Sequence, residues 1–358
     1  MNPTFDHMLS LLRASLNDSP PDIPLLSTNE WEQLFWLARK HGVVTMINDA
    51  IERLPDDKQP QGDIALSWTL SAERTRYHYA HQAQVLESID QKAQAEGIPY
   101  ILLKGMSLSR YYPRPDSRPC GDIDICFPHH YQQGNALLGS PNAPTEGKHS
   151  EIDVDGVTVE NHRQLLDLNY RSQKKAEEYI WKSIDNASSD HFLPPMADMV
   201  YLLMHTICHL TAKFKLPLRN IIDWGMFLRA NRDNLKPTEC NKLLRQLGMT
   251  DAFNMLTQFS SEFIGADLSM FISRPLPQSL WPHASYISTG RSSGSRRKKN
   301  RLPVNSSTRS GSCGIPARSS SEAAESMSPV ANARCRSPAA SGFVVRAGGF
   351  GKEKSSTT

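Results

Sequence analysis

The fourteen residues His149–His162, HSEIDVDGVTVENH, constrain the fold more than any other stretch of the chain. Asp155-Gly156 is a preferred two-residue turn for a β-hairpin, and apolar residues alternate on either side of it. With that turn, Val154 faces Val157 and Ile152 faces Val159, forming one apolar face. The other face then carries Asp153 opposite Thr158, Glu151 opposite Glu160 and His149 opposite His162. Two strand-length runs precede the hairpin: Tyr100–Leu103, opened by Pro99, and Asp122–Phe127.

The flanking segments have helical periodicity. The N-terminus, MNPTFDHMLSLLRASLNDS, spaces its apolar residues as a helix does, and Asp6 and His7 stand where a signal peptide would be basic. Thr28 is suited to cap a helix with Trp31, Leu34, Phe35 and Leu37 on one side, ending near Gly42. Ile64–Ala95 contains no Gly or Pro and is rich in Ala, Gln and Glu, which predicts one long helix stopping at Gly97. From Pro195 to Gly265 helices return, over about Met196–Lys213, over Leu218–Arg229, and twice more, the first of these opening at Pro237. Pro128–Lys148 looks too short for a helix plus its connections. The expected class is α+β, a small mixed sheet between N-terminal helices and a C-terminal helical part. The expected divisions are 1–97, 98–170, 171–275 and 276–358.

Charge is distributed unevenly. Ser285–Thr358 holds 13 Lys/Arg and 3 Asp/Glu, while the rest of the chain holds 27 and 34. The tail is rich in Ser, Arg, Gly, Pro and Ala and has three aromatics, so it cannot bury enough apolar surface to offset its ordering entropy; a disordered basic tail is expected. GSRRKKNR within it suits a nucleic-acid tether or a localisation signal, or simply a solvated segment. The acidic body argues against nucleic acid as its partner. The six cysteines are scattered without a CxxC pair, as in a reducing compartment. Met199–Leu210, the longest apolar stretch, is interrupted by His205 and His209 and is too short to span a bilayer. A cytoplasmic protein with no membrane partner is expected.

Alternate residues of a strand share a face, so Asp122 and Asp124 of GDIDI point the same way, about 7 Å apart along the strand. Two such carboxylates can bracket a pair of metal ions about 3.5–4 Å apart, an arrangement suited to attack on an α-phosphate. DxD alone is a common surface pattern. The hairpin adds weight, because the opposed carboxylates Glu151 and Glu160 repel unless a positive charge lies beside them. Upstream, Lys104-Gly-Met-Ser-Leu-Ser-Arg110 follows the first strand directly. Gly105 lets backbone approach a ligand, and helix-start amides can face phosphate oxygens. Lys104, Ser107, Arg110, Arg114 and Arg118 supply cations and a hydroxyl. Neither GxxxxGK[ST] nor a strand-linked GxGxxG is present.

The combination LLKGMSLSRYYPRPDSRPCGDID resembles the uncharacterised bacterial nucleotidyltransferase family, a branch of the DNA polymerase beta-like superfamily. The likeness covers roughly residues 25–265, with Glu160 and His162 matching a later strand, and Tyr201–His209 and Leu218–Trp224 matching a helical part. It implies a nucleotidyltransferase fold in which Asp122, Asp124 and Glu160 hold two Mg²⁺ ions and do the catalytic work. Lys104, Gly105, Ser107, Arg118 and Gly121 would contact the nucleotide. The implied reaction moves a nucleoside monophosphate from a nucleoside triphosphate, ATP for example, to a hydroxyl of a small molecule or protein. Where the superfamily has Gly-Ser in its phosphate loop, this chain has Lys104-Gly105 and its nearest serine at Ser107. That departure motivates the alternative, a catalytically silent interaction module on the same fold.

His205 and His209 stand four apart but lack the glutamate of HExxH and a third ligand, so packing against the sheet or lining the cleft is expected. Arg219 and Asp223 suggest a local helix pair. Trp31, Phe35 and Trp224 are expected in the core.

Overall fold

The computed structural model describes residues 3–144, 146–168, 171–187, 191–213 and 217–275. The predicted basic tail from residue 276 on lies outside the described residues.

Four helices come first: Pro3–Leu16 (α1), Thr28–His41 (α2), Val44–Ile51 (α3) and Gly62–Glu96 (α4). The cap of α2 is Ser27 and not Thr28. The Ser27 hydroxyl accepts from the Glu30 N–H, and the Glu30 carboxylate accepts from the Ser27 N–H at 2.8 Å. Ser27 wins because it stands three residues before the glutamate, the spacing a reciprocal capping box requires. Trp31, Leu34 and Phe35 are buried as expected, and Leu37 is half-buried. α4 runs 35 residues, roughly 52 Å, and joins two cores. Ile64 and Trp68 near its start pack with α1–α3, whereas Val85, Ile89 and Ala93 near its end lie under the sheet.

The sheet has four strands, Ile101–Leu102 (β1), Ile123–Cys126 (β2), His149–Val154 (β3) and Val157–His162 (β4), in the order β1-β2-β4-β3. The hairpin has the register its sequence dictates, with Val154 opposite Val157, Glu151 opposite Glu160 and His149 opposite His162. Asp155 and Gly156 both take positive φ, 52° and 81°, the backbone of the turn that matches strand twist. β2 lies antiparallel to β1 and parallel to β4, which sets Asp124 beside Glu160 and Ile123 beside Val159. One face of the sheet, with Ile123, Ile125, Ile152, Val154 and Val159, closes over α4.

After β1 the chain makes the single turn Met106–Ser109 (α5). Between β2 and β3 the segment thought too short for a helix contains one, Tyr131–Leu137 (α6). It fits because it lies directly on the sheet. A Cβ at Gly134 would stand 2.2 Å from the Phe127 ring, so only glycine permits the approach.

Five helices follow: Arg171–Asp185 (α7), Pro195–Lys213 (α8), Leu218–Ala230 (α9), Pro237–Leu247 (α10) and Thr250–Ile264 (α11). α7 falls outside the predicted helices, although Ala176, Ile180 and Ile184 recur every four residues and all are buried. Its Glu177 accepts from the N–H groups of Leu165 and Leu166 at 3.0 and 2.8 Å, fixing the chain as it leaves β4. α7–α11 share one apolar core with α1–α3, and Trp31, Phe35 and Trp224 belong to it as expected. Among the described residues the four cysteines are free thiols. No described helix is long and apolar enough to cross a membrane.

One buried charge in α8 makes stability depend on pH. Asp198 is buried, and its Oδ2 has no hydrogen-bond partner among the described residues. Burial pushes its carboxyl up to about 7, with Arg110 opposing the rise. A folded value above the unfolded one means the folded state holds a proton that the unfolded chain has lost. Stability therefore falls as pH rises from about 4 to about 7, by at most on the order of 4 kcal/mol. Thermal melts should show Asp198→Asn more stable than the parent at pH 8, with the difference vanishing near pH 4. Parallel pH profiles for the two proteins would contradict this.

Candidate active site

The polar face of the sheet gathers the side chains that the sequence nominated. Asp122 enters β2 half-buried, Asp124 is 1% exposed in the strand centre, and Glu160 stands beside it on β4. Ligand-capable oxygens of all three lie within 4.8 Å of one another. A buried carboxylate needs counter-charge, and two cations from other elements supply it. Lys104, in the turn after β1, puts Nζ 2.5 Å from Asp124 Oδ1 and 4.0 Å from Glu160 Oε2. His162, two residues beyond Glu160, brings Nε2 to 3.0 Å from Asp124 and 3.2 Å from Glu160.

The electrostatic consequences differ between the two aspartates. Burial works to raise the Asp124 carboxyl, but the His162 hydrogen bond and Lys104 outweigh it and hold Asp124 well below the usual range. Asp122 makes no such contacts. Burial raises its pKa, the neighbouring Asp124 raises it further, and Lys104 only partly offsets them. For Lys104 and His162 burial disfavours the charge, yet the surrounding carboxylates prevail and both pKa values rise. The site is thus a cluster of carboxylates whose charge is incompletely met by two protein cations.

Gly105 brings the backbone against the cluster. It has φ +61°, and a Cβ added there would meet the Asp122 carbonyl at 3.5 Å and Asp124 Oδ2 at 3.6 Å. Ser107 is buried in the one-turn helix that follows, its N–H donating to the Lys104 carbonyl, and Gly121 lies exposed before Asp122. Three carboxylates on one sheet face beside a Lys-Gly turn form a donor set of hard oxygen atoms, which suits a divalent cation.

The family model described as uncharacterised nucleotidyltransferase matches residues 27–265. The chain belongs to that family. No curated protein and no solved structure matches it. The match spans both helical parts and the sheet, in agreement with the resemblance carried by residues 99–126.

In this member of the family, the other nominated cations lie elsewhere. Arg118, expected beside phosphates, is 4% exposed and forms a bidentate pair with Asp223, with Nε 2.7 Å from Oδ1 and Nη2 2.9 Å from Oδ2. Tyr112 donates to the same carboxylate at 2.6 Å. Asp223 is therefore no local partner of Arg219, whose guanidinium reaches the Pro119 carbonyl at 3.2 Å. The helix spacing of four allowed that pair, but the buried Arg118 had the greater need of a carboxylate. Arg114 pairs with Asp49 at 2.9 Å, away from the cluster, and the Arg110 guanidinium lies 3.5 Å above the Phe192 ring.

His149 and His162 lie on the predicted polar face of the hairpin but outside the predicted set of site residues. The signal was present, because they directly oppose each other two residues from Glu151 and Glu160. α8 supplies a wall. Burial, followed by the fields of Asp124, Asp198 and Glu160, pushes the Tyr201 hydroxyl well above its usual value. His205, stacked on Tyr201 with ring centres 6.2 Å apart, drops to about 3 through burial, Lys104 and His209, and so is neutral.

Proposed function

We propose that this chain is a Mg²⁺-dependent nucleotidyltransferase that moves a nucleoside monophosphate from a nucleoside triphosphate to a hydroxyl of a small molecule or protein. The convergence of Asp122, Asp124 and Glu160 on one sheet face carries the reading. The residues fit the metal, since their donors are all oxygen and the three carboxylates outnumber Lys104 and His162, the cations that pair with Asp124. When bound, a pair of Mg²⁺ ions acidifies the acceptor hydroxyl and offsets charge on the leaving group.

In the transfer, the acceptor oxygen forms a bond to the α-phosphorus and the bond from that phosphorus to the bridging oxygen of the β-phosphate breaks. Pyrophosphate leaves with the electron pair, and the hydroxyl proton passes to a site carboxylate. Asp122, Asp124 and Glu160 hold the reacting centre from the sheet side. Lys104, paired with Asp124, would be free to meet the triphosphate once a metal took over the charge of that carboxylate. Gly105, Ser107 and Gly121 present backbone to the phosphates at close range. Arg118 holds the loop before Asp122 through Asp223 and does not touch the nucleotide.

Incubation with α-labelled and, separately, γ-labelled nucleoside triphosphate over a panel of hydroxyl acceptors tests the reading. Transfer of the α-label with equimolar pyrophosphate release is expected; transfer of the γ-label would replace it with a kinase. The silent-module alternative rests on Lys104-Gly105 in place of Gly-Ser and on the Lys104–Asp124 pair. Tight ATP binding by calorimetry with no pyrophosphate release would favour it.

A further inference from the structure

We propose that His149, Glu160 and His162 form a second kind of metal site in this chain, one with nitrogen donors that takes a first-row transition ion such as Zn²⁺ or Mn²⁺ in preference to Mg²⁺. Each of the three offers a ligand atom, and these atoms lie within 4.8 Å of one another. Donors around an ion at 2.0–2.1 Å stand about 3–3.5 Å apart, so only small side-chain movements are needed to close the set. The hairpin register makes His149 and His162 directly opposed, and their ring centres are 5.0 Å apart at 47°. Glu160 lies between them in reach, with its oxygens 3.7 Å from His149 Nε2 and 3.2 Å from His162 Nε2.

A second observation points to a ligand. The Nδ1 atoms of both rings are buried and have no hydrogen-bond partner among the described residues. Buried ring nitrogens are ordinarily satisfied, and coordination to a cation is one way to satisfy them. In the loaded site His162 is neutral, with its Nε2–H donating to the buried carboxylate of Asp124 3.0 Å away and Nδ1 as the ligating atom, the arrangement that ligating histidines usually have. Two imidazoles and one carboxylate exclude Mg²⁺ as the preferred occupant, since that ion takes oxygen ligands and keeps its waters. His149 is partly exposed at the rim, which leaves the ion a route in and an open coordination position.

The inference deepens the function proposed above, because Glu160 is shared between the oxygen-only set and the nitrogen-containing set. A nucleotidyltransferase built this way has unlike ions on its two sides and is activated by a trace transition metal in the presence of Mg²⁺.

The test uses the full chain, stripped with chelator and loaded with one equivalent of Mn²⁺ or Zn²⁺ in the presence of millimolar Mg²⁺. Pulsed electron paramagnetic resonance of the Mn²⁺ sample should show coupling to two imidazole nitrogens, falling to one in His149→Gln. Calorimetry should show Zn²⁺ affinity lowered at least about tenfold in the same variant. Absence of nitrogen coupling in the parent protein overturns the inference without any variant, and an unchanged nitrogen number or Zn²⁺ affinity in His149→Gln also overturns it. Asp122→Asn separates the two readings, since nitrogen coupling should survive there whether or not nucleotidyl transfer does.

Discussion

Asp122→Asn is expected to reduce nucleotidyl transfer by at least about 10³-fold while leaving the metal-free protein as stable as the parent or more so. The activity loss follows from removing a carboxylate that helps carry several kcal/mol of charge stabilisation in the transition state, each 1.36 kcal/mol being a factor of ten. The stability effect has the opposite sign to that of most buried-site substitutions. Burial and Asp124 raise the Asp122 pKa, so above that value its negative charge is held in the fold at a cost which a neutral amide removes. Asp124→Asn should lose as much activity and behave oppositely in melting. Asp124 is held far below the usual range by His162 and Lys104, and removing its charge strands the buried His162 and the half-buried Lys104. Transfer rates and melting temperatures for both variants give the check. Addition of Mg²⁺ should raise the melting temperature of the parent and not that of Asp122→Asn. Undiminished transfer in both variants would sink the assigned chemistry.

The second large effect lies outside the carboxylate cluster. Asp223→Ala should destabilise the protein by about 3–5 kcal/mol, because it leaves the Arg118 guanidinium buried without its counter-ion and the Tyr112 hydroxyl without an acceptor. For a body of this size the melting temperature should fall by roughly 10 °C. The pair ties the loop entering β2 to α9, so transfer should weaken as well, although Asp223 touches no site carboxylate. Replacing both partners, as in Arg118→Met with Asp223→Leu, should restore most of the lost stability, since an apolar pair of similar volume avoids desolvating two charges. Urea denaturation of the single and double variants measures both outcomes. A double variant no more stable than Asp223→Ala would show that Arg118 has another buried role.

Local sequence conveys the register and the helices of this chain better than it conveys their distant partners. The hairpin was legible residue by residue, because the Asp155-Gly156 turn fixes register and the two-residue period of a strand then assigns every side chain to a face. The long helix α4 was legible because it contains no breaker. Ser27 as a cap was missed in favour of Thr28, although the capping-box spacing to Glu30 was in the sequence. α6 was missed because the length of a connection depends on how closely it lies on the sheet, and that depended on Gly134 meeting Phe127. Arg118 carries no mark in the sequence of the carboxylate it meets, here 105 residues away.

The sequence by itself determined the hairpin register, the face on which Asp122 and Asp124 lie, and the family, since each depends on short-range spacing or on a motif. Only the tertiary structure decided that β4 lies parallel beside β2, which brings Glu160 and His162 to Asp124, and that Lys104 provides the nearby ammonium charge. Parallel pairing joins strands separated by a crossover, so its register is set by packing over α4 and α6 rather than by any turn. The same long-range packing divided the basic residues, leaving Lys104 among the site carboxylates and burying Arg118 against α9.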